Sequence, residues 1–248
     1  MDPGPRLDRG RGLMVARSRA LREAATTFAR LRAQHPDAHC ELVHRDPFTL
    51  LVSVVLSAQT TDVAVNRVTP ALFARWPTAA ALSEAALADV EAALGRIGMF
   101  RQKARHVVAL SKQLVARHGG DVPATLAELV ALPGVGRKTA NVVLGVAFGA
   151  PEGVVVDTHV LRLAQRLGWT KHDDPAQVEH DLATLFPQEH WDLLGHTVIF
   201  HGRRICTARS PACEACSVND VCPSAFRAED VGRKPPRRLR GASSRARG

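Results

Sequence analysis

The chain of 248 residues contains no tyrosine, and aromatic residues make up only 4% of it. No apolar run reaches the length of a membrane-spanning helix. The basic N-terminus also lacks the hydrophobic segment and small-residue cleavage site of a signal peptide. These absences exclude an aromatic-rich core and predict no membrane partner and no secretory leader. We therefore expect a soluble cytoplasmic protein whose core is aliphatic and helical.

Acidic residues are scarce at the two ends of the chain, and this makes the net charge of +9 uneven. Residues 232–248 carry seven basic and no acidic side chains, and residues 1–22 carry six basic and two acidic ones. Subtracting +7 and +4 from +9 leaves −2 for residues 23–231. The overall basicity therefore says little about the folded part, where local basic clusters carry the argument for nucleic acid. We predict that the Pro- and Arg-rich tail 232–248 is disordered.

Apolar residues recur with a period near 3.6 along most of the chain, which predicts helices. The run from Leu50 to Leu56 is rich enough in β-branched residues to pass for a buried strand, but no alternating partner segment accompanies it. We therefore predict a buried helix there, followed by a helix that begins near Asp62 and is capped by Thr60 or Thr61. Because no strand pair is evident elsewhere, the predicted fold class is all-α.

Two helices are predicted on either side of the turn Pro133-Gly134-Val135-Gly136. We expect both Gly134 and Gly136 to adopt positive φ and the turn to present successive backbone amides, with that of Val135 among them, at the start of the second helix. Such amides and the helix dipole suit a DNA backbone phosphate, and Arg137 follows at once. From shape alone, a plain helical hairpin is an equally good interpretation.

Lys138 stands in the first turn of this second helix, where acidic residues are normally preferred. It shares a helix face with Val142 and Val146, so its stem is expected to lean toward the interior. Partial desolvation and the positive helix end both favour the neutral amine, a nucleophile able to form a Schiff base. On position alone, a lysine that contacts phosphate is the simpler interpretation.

Asp157 is predicted to cap the helix that follows the apolar run Val154–Val156. Backbone amides and the dipole hold a capping carboxylate in its anionic form. Facing a cleft, this anion could accept a proton from Lys138 through a water or stabilise a cationic sugar. Capping alone is the ordinary explanation.

Four of the five cysteines lie close together near the end of the predicted folded part, in the spacing C-x6-C-x2-C-x5-C. Disulfides are unexpected in a cytoplasmic chain, so this pattern indicates a metal or cluster site. The spacing leaves zinc and an iron–sulfur cluster about equally plausible. The fifth cysteine, Cys40, is predicted to be a small core or surface thiol. The candidate ligands are Cys206, Cys213, Cys216 and Cys222.

The motifs LPGVGRKTANVVL and VVVDTH resemble the helix-hairpin-helix DNA glycosylases of the endonuclease III branch. The resemblance extends to LLVSVVLSAQTTDVAVN, GRIGMFRQKARHV and the cysteine cluster, and covers roughly residues 20–225. It implies a bifunctional DNA glycosylase and abasic-site lyase for oxidised pyrimidines. Lys138 would be the Schiff-base nucleophile and Asp157 the catalytic carboxylate.

The resemblance also implies a [4Fe–4S] cluster held by the four clustered cysteines. The loop between the first two of them, TARSPA, retains a single basic residue, Arg209, as a DNA contact. The implied partner is double-stranded DNA with damaged bases or abasic sites, bound by a monomer associated with the nucleoid. A monofunctional glycosylase and a non-catalytic binder of damaged DNA are the alternatives.

A glycosylase must swing its target nucleotide out of the duplex, and the vacated space needs a filler. By resemblance, Gln59 fills that space, although the residue alone is an ordinary loop glutamine. The turn with Ile97 and Met99 beside Gly98 is expected to be exposed and to wedge the opposite strand. His159 is expected to line the pocket or to sit in the first turn of its helix.

The predicted architecture has two all-α domains with a DNA-binding cleft between them. A six-helix domain, residues 41–150, carries the hairpin and Lys138. The second domain combines residues 1–40 with 151–231 and carries Asp157 and the cluster. The nucleophile and the carboxylate are expected on opposite walls of the cleft.

Overall fold

The structure is a computed structural model that describes the backbone of residues 9–232 and the side chains from residue 18 onward. Apart from Gly232, the predicted disordered tail 232–248 lies outside the described residues. Every regular element in the described range is helical, as the sequence predicts. No helix in that range is both long enough and apolar enough to cross a bilayer. The α-helices are α1 Arg9–Gln34, α2 Pro47–Leu56, α3 Asp62–Arg75, α4 Ala79–Ser83, α5 Leu87–Leu94, α6 Phe100–His118, α7 Leu126–Val130, α8 Arg137–Phe148, α9 Thr158–Arg166, α10 Pro175–Leu185 and α11 Trp191–Arg204.

Helix α2 is the apolar run that could have been a strand. Asp46 and Thr49 form a capping box at its start, and Pro47 occupies the first turn. These signals start a helix locally, and every residue from Phe48 to Leu56 is buried. The prediction of a buried helix is confirmed.

The other helix boundaries also follow from local chemistry. Thr61 caps α3 by accepting from the backbone amide of Ala64, which resolves the choice between Thr60 and Thr61. Gly119 ends α6 and Gly149 ends α8, each in the left-handed conformation that favours glycine at a helix end. The main helices therefore form where the sequence predicts them.

The buried apolar residues of the described range form two separate hydrophobic cores. The first lies within residues 42–144 and is built by α2–α8, while the second joins residues 24–31 of α1 to residues 154–218. The first region contains seven α-helices, α2–α8, rather than the predicted six. The chain thus forms two all-α domains, and α1 packs with the C-terminal half.

Ion pairs join the two domains at their boundary. Arg203 of α11 pairs with Glu41 and with Asp62 at the start of α3, where Nη2 lies 3.0 Å from the Asp62 carboxylate. Arg137 of α8 pairs with Glu179 of α10. These contacts hold the walls of an inter-domain cleft.

Candidate active site and cluster site

The hairpin between α7 and α8 depends on Gly134. This residue adopts φ 78°, and a Cβ atom added to it would lie 2.8–2.9 Å from atoms of the His106 side chain. Both the left-handed backbone and the close approach require glycine here. The turn is therefore a tight one, with no room for a side chain at its tip.

The rest of the hairpin differs from the prediction. Gly136 is the N-cap of α8 with φ −94°, so the expectation of positive φ there is wrong. The prediction that the Val135 amide faces outward is also wrong, since it donates to the carbonyl of Leu132 and the side chain is buried. Because Gly136 has no side chain to cap the helix, the first amides of α8 are left for an external acceptor.

Arg137 does not project freely beside these amides. Its Nη2 and Nε atoms donate to the Glu179 carboxylate at 2.8 and 3.0 Å, and this bidentate bond raises the pKa of the guanidinium. In this structure Arg137 ties α8 to α10. As a phosphate contact it remains a prediction, and it would have to share its charge with Glu179.

Lys138 is exposed at the start of α8 and lines a cavity with Val142 of the same helix. The shared face with Val142 agrees with the helical spacing. The residue is exposed overall, and the expected partial desolvation of its amine stays a prediction. Across the cavity from α8 stand Asp192 and His196 of α11, whose carboxylate and imidazole lie 3.5 Å apart.

Asp157 caps α9, as the sequence predicts. Its Oδ1 atom accepts from the backbone amides of His159 and Val160, both at 2.8 Å, and the residue is half-buried. Two amide donors at a helix N-terminus hold the carboxylate in a fixed orientation. A fixed negative charge therefore marks the end of the helix that carries His159.

His159 and Gln59 line a second cavity that adjoins the one at Lys138. Burial lowers the pKa of His159, and the nearby Asp157 carboxylate only partly opposes that effect. The structure thus brings Lys138, Gln59 and His159 to one continuous cleft, and places Asp157 at the end of a helix that forms part of its wall. The residues common to both cavities are His39, Glu41, Asp62 and Arg203.

Three residues other than glycine have positive φ in the described range, namely Gln59, Met99 and Phe226. Gln59 has φ 54° and Met99 has φ 55°, a conformation that costs residues other than glycine free energy and concentrates at functional sites. Met99 is 46% exposed, as expected for a wedge, but Ile97 is only 5% exposed and packs in the first core. The prediction that Ile97 is exposed is wrong, because its side chain completes that core instead.

The four clustered cysteines line one cavity next to the second core. In the described residues, no group of three or more Cys, His, Asp or Glu side chains is arranged to hold a single metal ion. A four-iron cluster instead distributes its thiolate ligands around a cage, with one cysteine at each iron. The soft, four-thiol donor set around a cavity fits such a cluster. Cys40 packs against the first core, and burial raises its pKa.

A pair of histidines, His201 and His35, lies beside the cavity that the four cysteines line. His201 Nε2 lies 3.5 Å from Cys216 Sγ, and its Nδ1 lies 3.0 Å from Nε2 of His35. Both rings are buried, and burial lowers the pKa of His201 to about 4. Arg209, by contrast, is exposed in the loop between the first two cysteines, and its contact with DNA remains a prediction.

Sequence reasoning missed Arg166, a fully buried arginine of α9. Its guanidinium donates to the carbonyls of Thr207 and Ala208 at 2.7 and 3.0 Å and lies 3.3 Å from Cys206 Sγ. Arg162, four residues earlier, donates to the Cys206 carbonyl at 3.0 Å. The sequence feature that could have revealed them is the four-residue spacing of the two arginines, which places both on the inward face of α9.

Replacing Arg166 by methionine should therefore loosen the cysteine loop. The carbonyls of Thr207 and Ala208 would lose their donor, and we expect a loss of about 3–5 kcal/mol in unfolding free energy. Thermal unfolding should shift down by roughly 10 °C, and the iron content per chain should fall. Arg209→Met is the matched control, since Arg209 is exposed. Equal melting temperature and iron content in both variants would contradict this role.

Two family models match the chain. One, described as HhH-GPD superfamily base excision DNA repair protein, matches residues 52–188. The other, described as the iron-sulfur binding domain of endonuclease III, matches residues 206–222 and so contains all four clustered cysteines. The fold and the hairpin site thus define a helix-hairpin-helix base excision repair protein with an iron–sulfur cluster.

Comparison with named relatives and solved structures identifies a particular family within this class of repair proteins. The chain is 48% identical to Endonuclease III of Synechocystis sp. over 195 residues, covering 79% of this chain and 89% of the relative. It is 42% identical to Endonuclease III of Escherichia coli K12, covering 79% and 92%. A trapped Endonuclease III–DNA covalent intermediate superposes with TM-score 0.78 at 43% identity, covering 85% and 97%. The chain belongs to the endonuclease III family, and it is a DNA glycosylase and abasic-site lyase.

Proposed function

We propose that Lys138 is the nucleophile of this enzyme and that its substrates are oxidised pyrimidines such as thymine glycol. The observation that carries the proposal is the position of Lys138, an exposed amine on the cavity between the two domains. It stands at the uncapped start of α8, immediately after the Gly134 turn. A phosphate held by those amides would bring a nucleotide next to the amine.

The reaction proceeds in two stages. The Lys138 amine attacks C1′ of the extruded nucleotide, so that a C–N bond forms, the glycosidic bond breaks and the base leaves with a proton. The amine then releases a proton, and the C1′–O4′ bond breaks as O4′ takes up a proton, so that the sugar opens and a Schiff base remains at C1′. A proton is next removed from C2′ and the C3′–O bond breaks, which cleaves the strand 3′ to the lesion.

Asp157 supplies the fixed negative charge in this scheme. Departure of the base builds positive charge on the sugar, and a carboxylate already held by two amides stabilises that charge without reorienting. The two capping bonds to His159 and Val160 hold the carboxylate in place. Asp157 also receives the proton that the attacking amine releases, through a water.

Gln59 and Met99 are the residues that we assign to contacts with the two strands of the duplex. We infer that Gln59 fills the space left by the extruded nucleotide and that Met99 wedges the opposite strand. Their exposed, strained positions support these roles. His159 lines the pocket beside Gln59. The hairpin residues Gly134 and Gly136 bring the backbone close to phosphate, and Arg209 adds a contact from the cysteine loop.

We further infer that Cys206, Cys213, Cys216 and Cys222 hold the cluster as [4Fe–4S]. A bound cluster would join the segments of the C-terminal loop that carry these cysteines, and Arg166 of α9 and His201 of α11 adjoin two of the ligands, Cys206 and Cys216. The two cores support domain boundaries at residues 1–40 with 151–231 and at 41–150. The enzyme would act on damaged or abasic double-stranded DNA as a monomer in the nucleoid.

Borohydride trapping tests the mechanism directly. With a duplex containing thymine glycol, the holoenzyme should give a covalent protein–DNA adduct and a strand cut 3′ to the lesion. Base release without an adduct would favour a monofunctional glycosylase in which Lys138 contacts phosphate. Binding without base release, adduct or cleavage would favour a non-catalytic binder of damaged DNA.

A further inference from the structure

Lys103 is a buried cation that the reaction scheme does not use. It lies on α6 and is only 3% exposed, and its described hydrogen-bond partner is the hydroxyl of Thr60. Burial lowers its pKa, and no carboxylate contributes to that shift. A buried ammonium group with one neutral partner costs folding free energy, so hydrophobic packing alone would favour an aliphatic side chain here.

The position of Lys103 links the two strained loop tips. Thr60 follows Gln59 directly, so the ammonium group is bonded to the residue next to that tip. On its own helix, the Lys103 amide donates to the carbonyl of Met99 at 3.1 Å. Lys103 therefore bonds through its side chain to the residue after Gln59, and through its backbone amide to the turn that begins at Met99.

We propose that Lys103 is a positioning residue that holds the Gln59 and Met99 tips at a fixed spacing for entry into the duplex. This proposal rests on the roles proposed above for the two tips. Lys103 is too deeply buried to contact DNA itself, so it acts through the loops. Its bond to Thr60 restrains the Gln59 loop, while Met99 is restrained through the first turn of α6.

The link predicts a selective defect. Extrusion from a duplex needs both tips, whereas an abasic site in single-stranded DNA needs no extrusion before Lys138 attacks. In single-turnover assays, Lys103→Met should slow base release from a lesion-containing duplex by about 10- to 100-fold. Its rate on single-stranded abasic DNA should stay within about twofold of wild type, because loop spacing is not used there. A 2-aminopurine next to the lesion should show the same loss of extrusion as reduced fluorescence.

Lys112→Met on the same helix is the matched control, since Lys112 is exposed, and it should leave both rates unchanged. If Lys103→Met does not fold, Thr60→Val and Thr60→Ser decide the matter. Thr60→Val removes the hydroxyl and should reproduce the duplex defect, and Thr60→Ser restores the hydroxyl and should rescue it. Equal slowing on both substrates, or an unaffected duplex rate, would overturn the proposal. The borohydride adduct of wild type on single-stranded abasic DNA tests the Lys138 mechanism separately.

Discussion

Lys138→Gln should abolish the borohydride-trapped adduct and slow strand cleavage by on the order of 10⁴-fold. Glutamine keeps the length and polarity of the side chain but has no amine that can form a Schiff base. The substitution should change the unfolding free energy by less than about 0.5 kcal/mol, because Lys138 is exposed. Single-turnover cleavage of an abasic duplex measures the effect, with thermal unfolding as the check on folding.

Lys112→Gln is the control for Lys138, since it removes the same charge from an exposed position on α6. Binding of Lys138→Gln to an uncleaved abasic duplex should remain within about tenfold of wild type, because phosphate contacts are distributed over many groups. Retention of full base release and cleavage by Lys138→Gln would remove this residue from the chemistry. Loss of binding without loss of chemistry would make it a phosphate contact.

Asp157→Asn should slow base release by about 10²- to 10³-fold while leaving the fold intact. Asparagine caps helices about as well as aspartate, so the bonds from the amides of His159 and Val160 can be retained through its carbonyl oxygen. Only the negative charge is removed, and with it the stabilisation of the cationic sugar. The rate of base release under single-turnover conditions and the melting temperature separate these two effects.

Asp174 offers a matched control for the cap. Its Oδ1 atom accepts from the amides of Ala176 and Gln177 at 3.1 Å at the start of α10, in the same arrangement as at Asp157. Asp174→Asn should therefore change stability as little as Asp157→Asn and leave base release unchanged. If both variants react at the wild-type rate, Asp157 is a cap alone.

The helical fold could be predicted from local patterns in the sequence. Apolar residues recur with a period of 3.6, and this pattern is set within a few residues of sequence. The same is true of the helix ends: the N-caps are Asp46, Thr61 and Asp157, and the C-terminal glycines are Gly119 and Gly149. The cysteine spacing likewise predicted a metal or cluster site without knowledge of the fold. The likeness to a known family supplied the choice of cluster and the roles of Lys138 and Asp157.

The outcomes that the sequence did not predict depended either on neighbours distant in the chain or on the geometry of one tight turn. Ile97 is buried because the first core receives it, and Arg137 is paired because α10 brings Glu179 to it. Val135 uses its amide inside the turn, and Gly136 is an extended cap. Sequence periodicity reports which face of a helix is apolar, but it cannot report which partner that face meets.

By itself, the sequence determined the helices, the glycine-containing turn at residues 133–136, and the clustering of four thiols in a short segment, because each follows from short-range sterics, hydrogen bonding or spacing. Tertiary structure alone decided that Arg166 anchors the cysteine loop and that Lys103 reaches Thr60. These contacts join residues 40 or more positions apart, and only packing of the cores determines which side chains meet across such distances.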